Sequence, residues 1–260
     1  MIEETSNVKG ILFDLDGVLY IGDRVVEGAQ DVLLELKRHD IPYRFITNTS
    51  TKTAASVADK LKAMGFSIEC DEIFSAVSAT HSFLSTRGAS SVHLLVQEAV
   101  CSEFSEFDQS NPNPDYVVVG DIGAAWDYAL LNKVFNEIMN GAELIAMHMN
   151  KFWQTEQGLQ MDIGAFVAGL EFVTSKQATV IGKPSQDFFC LATASLNLDP
   201  ADVLIVGDDI ENDIGGGKAS GLSAVLVKTG KYREDVTAQS EVVPDGIIDS
   251  VAELGDYLKL

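Results

Sequence analysis

Five short apolar runs, VKGILF (8–13), IPYRFIT (41–47), ATVIG (178–182), DVLIVG (202–207) and SAVLVK (223–228), recur along the chain. Each is continuous rather than alternating, the pattern of a strand covered on both faces, as in a parallel sheet. Between them, AQDVLLELKRH, TAASVADKLKAMG, QDFFCLATASLN and IENDIGGGKASG carry helical spacing or helix-ending glycines. Parallel strands need long crossovers, and crossovers are right-handed. The alternation therefore predicts an α/β fold, a doubly wound parallel-sheet (Rossmann-like) core.

The middle of the chain interrupts this rhythm without changing its type. SVHLLVQ (91–97), DYVVVG (115–120) and AELIAM (142–147) read as further strands. SATHSFLSTRG, WDYALLNKVFNEIMNG and GAFVAGLEFVTSK read as helices around them. Residues 76–178 are thus expected to form a second α/β domain inserted into a core made of 1–75 and 179–260. The NPNP segment at 111–114 is a loop, since two prolines in four residues forbid a regular ladder.

Charge and composition remove whole classes of function. A net charge of −21 argues against nucleic acid as a partner, which calls for clustered Lys and Arg. No apolar run reaches the roughly 18 residues of a membrane span, so no membrane is expected. The N-terminal MIEETSNVKG lacks a basic region followed by an apolar one. Cys70, Cys101 and Cys190 have no metal-ligand spacing and read as reduced, mostly buried thiols of a cytoplasmic protein.

The strand ends carry the chemistry. In open α/β sheets ligands bind beyond the carboxyl ends of the strands. In ILFDLDGVLY the first strand ends on Asp14-Leu15-Asp16-Gly17, which alone would be an ordinary Asp-Gly turn. The second run ends on Thr47-Asn48-Thr49-Ser50, before a helix expected near Lys52. The third ends on Gly182-Lys183-Pro184, and the fourth on Gly207-Asp208-Asp209 with Asp213 beyond. Four such endings at one sheet edge are improbable as separate accidents.

Asp14, Asp16 and Asp208 repel one another unless a cation lies among them. Oxygen ligands without His or Cys favour a hard ion, Mg²⁺. Its anionic partner would be phosphate. Thr47 offers a hydroxyl, the backbone N–H groups around Asn48 an anion site near a helix start, and Lys183 a point charge. Asp14, Leu15 and Asp16 complete the phosphate-binding set. Residues i and i+2 of an extended segment face one side. One carboxylate of the pair can attack phosphorus while the other exchanges protons with leaving group and water.

With DLDGVLY, ITNTS, IGKP and VGDDIENDIGGGKASG in order, the chain resembles the haloacid dehalogenase superfamily of phosphatases over nearly its whole length. The inserted segment resembles the α/β cap of subclass IIA. HMNKFWQTEQGLQMDIGAFVAGLEFVTSKQATVIGKPSQDFF and VLVKTGKYRED are similar to the phospholysine phosphohistidine inorganic pyrophosphate phosphatase group and its close hydrolase relatives. The resemblance implies Asp14 as aspartyl-phosphate nucleophile and Asp16 as general acid/base. It implies Mg²⁺ on the side chains of Asp14 and Asp208 and on the backbone carbonyl of Asp16. Thr47, Asn48 and Lys183 would hold the phosphoryl group, with Asp209 and Asp213 supporting the metal or orienting Lys183 from behind.

The expected activity is a Mg²⁺-dependent phosphoric monoester hydrolase for small phosphorylated molecules, with phosphoramidates and pyrophosphate also in range. A receiver-like phosphoaspartate module and a catalytically silent phosphate-binding protein are the alternatives. His148 is expected on the surface, and Phe152 and Trp153 are expected to pack within the cap. The phenylalanines of the 164–175 helix lie at core spacing, His39 offsets a helix dipole, and exposed cap surface could support a homodimer.

Overall fold

The computed structural model describes residues 8–155 and 158–260. Contacts divide the chain into two compact units. One is formed by the chain up to Thr47, Ala54–Phe74 and Lys183–Leu260, the other by Asn48–Thr53 and Ser75–Gly182.

A six-stranded sheet organises the first unit, in the order Gly246–Ile248, Ser223–Val227, Val203–Gly207, Gly10–Asp14, Tyr43–Thr47, Ile73–Ser75. Gly10–Asp14 pairs parallel with Val203–Gly207 on one side and Tyr43–Thr47 on the other. Every residue of Gly10–Asp14 and Val203–Gly207 is buried, which is why these runs are apolar apart from Asp14 at the end of the first. The chain leaves the central strand in one direction and later adds Val203–Gly207 in the other. Their carboxyl ends thus flank a topological switch point, where such sheets bind ligands.

The helices follow from the same patterning. Ala29–Arg38 buries Val32, Leu33 and Leu36 against the sheet, with Asp31 in its first turn and Lys37 and Arg38 in its last. Those charges complement the helix dipole, and His39 is the C-cap. Packing around the sheet joins Phe13, Phe45, Leu36, Leu61 and Val206 in one apolar cluster.

In the second unit a four-stranded sheet runs Thr179–Val180, Glu143–Ala146, Tyr116–Val119, Val92–Leu95, parallel throughout. Val117, Val119, Val134, Ile138, Val167 and Leu170 form its core against the helices Tyr128–Met139 and Gly164–Thr174. Ser75 caps the helix Ala76–Arg87 through a reciprocal exchange with Ser78, and Asp127 caps Tyr128–Met139. Phe152–Thr155 and Gly158–Met161 pair antiparallel. Residues 111–114 form the expected loop.

Several expectations are corrected. The ATVIG run is not a strand of the central sheet: Thr179–Val180 pairs with Ile145 and Ala146 at the edge of the second unit's sheet. An apolar run signals burial, not which sheet it joins. The central sheet instead gains Ile73–Ser75 and Gly246–Ile248 as edges too short to show in the sequence. Cys70 and Cys190 are exposed and Cys101 only half-buried, so the thiols are not core residues. Phe172 is 86% exposed and Phe152 57% exposed, whereas Phe166 stacks on Trp126 at 4.3 Å between ring centroids. Helical spacing alone did not separate the two phenylalanines. Among the described residues no helix is long and apolar enough to cross a membrane.

Candidate active site

Asp14 and Thr47 are the last residues of neighbouring parallel strands, and Asp208 directly follows the strand on the other side. All three are buried, at 7%, 7% and 1% exposure. Lys183 enters from the first residue of the unit's third segment. Its Nζ donates to Asp14 Oδ1 at 2.5 Å and to Asp213 Oδ1 at 2.6 Å. Burial works against the lysine's charge, but Asp14 and Asp213 more than offset it and raise its pKa above that of an ordinary lysine.

The carboxylates of Asp14, Asp208 and Asp213 each offer an oxygen within 4.8 Å of the others, the one such group among the described residues. Asp208 Oδ2 accepts the backbone N–H of Lys231 at 2.7 Å. Its Oδ1 is buried and accepts no hydrogen bond from the described residues. Burial first, then the charges of Asp14 and Asp213, push the Asp208 carboxyl up to about 8. A buried, unpartnered carboxylate oxygen facing like charges is costly alone and well suited to a hard cation. The residues present fit a divalent ion.

Two glycines let the backbone come this close. A Cβ on Gly17 would lie 1.8 Å from Asp208 Oδ2, and one on Gly230 2.0 Å from the same oxygen. Both have positive φ, +95° and +60°. The Thr229 hydroxyl donates to the Gly17 carbonyl, tying the Asp16-Gly17 turn to the loop after Ser223–Val227.

Asp209 and Asp213, grouped together by sequence reasoning, have different surroundings. Asp213 is 1% exposed and joins the acidic group; burial, tempered by Lys183, pushes its carboxyl up to about 6. Asp209 is the N-cap of the wide turn Ile210–Gly215, accepting from the N–H groups of Glu211 and Asn212 at 3.1 and 2.9 Å. Despite burial, Lys231 and these donors hold its carboxyl below the usual range. Asp213 Oδ2 in turn accepts the Asp209 N–H at 3.1 Å.

Asp16 is exposed, and its carboxylate is outside the buried acidic group. Desolvation by the surrounding chain, then Asp14, raises its pKa, while Lys60, Lys231 and the Gly22 N–H pull it back. Leu15 between the pair is 1% exposed, its side chain committed to the core. Asn48 groups with the second unit, where its Oδ1 fills the space a Cβ at Gly182 would need. The following helix begins at Ala54 rather than near Lys52, six residues beyond Asn48.

His148, expected at the surface, is 4% exposed, with Nε2 3.4 Å from Ser50 Oγ and 4.0 Å from Asp162 Oδ1. Sequence reasoning gave no role to Thr229, Gly230 and Lys231. The signal was present: a Thr-Gly pair directly after a strand of the same sheet, where the other site residues also lie.

Residues 11–110 match the family model described as haloacid dehalogenase-like hydrolase, and residues 180–254 one described as HAD-hydrolase-like. Over 262 residues the chain is 35% identical to the rat phospholysine phosphohistidine inorganic pyrophosphate phosphatase, covering 98% of this chain and 96% of that protein. It is 36% identical over 226 residues to the human haloacid dehalogenase-like hydrolase domain-containing protein 2, covering 87% and 86%. Among solved structures it resembles 4-nitrophenylphosphatase from Thermotoga maritima, with a TM-score of 0.90, 25% identity and coverage of 97% and 98%. NagD from E. coli K-12 superposes with a TM-score of 0.87 at 26% identity, covering 95% and 98%.

Proposed function

The chain belongs to the haloacid dehalogenase-like hydrolases, and from that premise we propose a Mg²⁺-dependent phosphatase working through an aspartyl-phosphate on Asp14. One observation supports this above the rest. The Asp14 carboxylate is held at 2.5 Å by a buried lysine, in an oxygen cluster where Asp208 Oδ1 accepts no hydrogen bond from the described residues.

Lys183 fixes one oxygen of the Asp14 carboxylate, leaving the other to attack phosphorus. The P–O bond to the leaving group breaks as the Asp14–phosphorus bond forms. Asp16, open to solvent and raised in pKa, gives its proton to the leaving oxygen. It then takes a proton from the water that hydrolyses the acyl phosphate, returning Asp14 to a carboxylate. Thr47 and Asn48 would orient the phosphoryl oxygens, and Lys183 would offset their charge. Magnesium would be held by Asp14, Asp208 and the Asp16 carbonyl, supplying neutralisation of phosphoryl charge. Asp213 anchors Lys183 through a second hydrogen bond to the same Nζ.

The first unit would be the catalytic core and the second, Asn48–Thr53 with Ser75–Gly182, would include a cap that selects the substrate. The relatives' names point to phosphoramidates and pyrophosphate as well as small phosphate monoesters. Steady-state hydrolysis of p-nitrophenyl phosphate with magnesium tests the reading. Asp14→Asn is expected to lose at least about 10³-fold in kcat, and Asp16→Asn about 10²- to 10⁴-fold. An Asp14→Asn protein as active as wild type would end the proposal.

A further inference from the structure

Asp16 follows a buried strand but is itself exposed, so its aim depends on the ribbon that comes next. Tyr20–Ile21 and Arg24–Val25 pair antiparallel around a two-residue loop, Gly22-Asp23. Gly22 has φ +62°, as glycine-led hairpin loops require. Two residues per strand cannot hold such a ribbon together in water.

The ribbon grips Asp16 at one end. Asp16 bridges to Tyr20, and the Gly17 N–H donates to the Tyr20 carbonyl at 2.7 Å. The other end is held by Lys60, from the helix Ala54–Ala63. Lys60 Nζ donates to the Gly22 carbonyl at 3.1 Å and stands 4.2 Å from the centroid of the Tyr20 ring. Lys60 thus holds the ribbon at its loop and at the ring of Tyr20, the residue to which Asp16 bridges. Asp23, 4.0 Å from Lys60 and 98% exposed, adds little to the arrangement.

We propose that Lys60 is a positioning residue for proton transfer: by clamping the Gly22 carbonyl and the Tyr20 ring, it holds the Asp16 carboxyl toward the leaving oxygen. The catalytic half of this inference rests on the phosphatase reading above; the clamp itself rests only on geometry. Lys60→Met keeps the aliphatic stem and removes both interactions, whereas Lys60→Arg can restore them.

Two readouts separate the halves. p-Nitrophenolate departs without a proton, but an alkoxide leaving group needs one. Lys60→Met is therefore expected to lower kcat/KM about tenfold or more for glycerol phosphate, to change it less than about threefold for p-nitrophenyl phosphate, and to be rescued by Lys60→Arg. Hydrogen exchange over residues 18–26 is expected to quicken in Lys60→Met while the amides of Gly10–Asp14 stay protected. Equal losses for both esters, or ribbon exchange no faster than in wild type, overturns the proposal. A wild type inert toward both esters would sink the phosphatase reading instead, and the exchange comparison would still decide the clamp.

Discussion

Lys183 stands between two buried carboxylates, Asp14 and Asp213, and both depend on it for charge compensation. Lys183→Met leaves them facing each other and is expected to destabilise the fold by about 3–5 kcal/mol at neutral pH. Urea titration should show a smaller loss under mildly acidic conditions, where Asp213, its pKa already raised by burial, can protonate. The glycines give a second contrast at this scale. Gly17 and Gly22 both have positive φ, but a Cβ at Gly17 collides with Asp208 whereas one at Gly22 meets nothing within 4 Å. Gly22→Ala should cost only backbone strain, about 1 kcal/mol. Gly17→Ala should cost more and abolish turnover, because Asp208 has to move. Comparable losses of activity in the two variants would contradict the close approach described.

The acidic run after Val203–Gly207 shows what an element adds to its residues. Asp209 and Asp213 are both plausible supports for the site when read from VGDDIENDIGGGKASG. Their fates diverge because Ile210–Gly215 forms a wide turn, with Asp209 at its start and Asp213 inside it against Lys183. Asp209→Ala removes a cap and is expected to cost about 1 kcal/mol, with activity changed only severalfold. Asp213→Ala removes a partner of the lysine that holds the nucleophile and should lose far more activity, about 10²-fold. Parallel thermal melts and turnover assays check the pair; the reverse ranking would sink the assignment. The ATVIG run teaches the same lesson for strands. Its composition fits any buried parallel position, and only pairing with Ile145 and Ala146 decided its sheet.

Across the whole molecule, charge sets the response to pH. The folded chain raises the Asp208 carboxyl from its ordinary 3.8 to about 8, and Asp213 to about 6. Folded pKa values above the unfolded ones mean the native state binds these protons more tightly. Their contribution to stability is complete below about pH 4 and lost as pH rises through about 8. EDTA-treated protein should therefore melt lower at about pH 8.5 than at about pH 6. Magnesium should recover more of the melting temperature at the higher pH, where it need not displace protons. Asp208→Asn should raise the metal-free melting temperature at about pH 8.5 and remove the magnesium increment. An increment that survives in Asp208→Asn would place the ion elsewhere. With a net charge of −21, moderate salt should stabilise every variant by screening self-repulsion.

Much of this was legible in the amino-acid order alone. Continuous apolar runs announce buried parallel strands, and the carboxylates and the threonine placed at or just past the ends of Gly10–Asp14, Tyr43–Thr47 and Val203–Gly207 mark one edge of a sheet, whereas Lys183 follows a run that joins the other sheet. That information is local, since it depends on spacing within a few residues and on what burial permits. Only the tertiary structure decided which aspartate meets Lys183, which sheet takes Thr179–Val180, and which lysines, Lys60 and Lys231, turn toward the acidic edge. Those choices are made by groups tens to hundreds of residues apart in the chain, through packing and charge compensation that no short window of sequence contains.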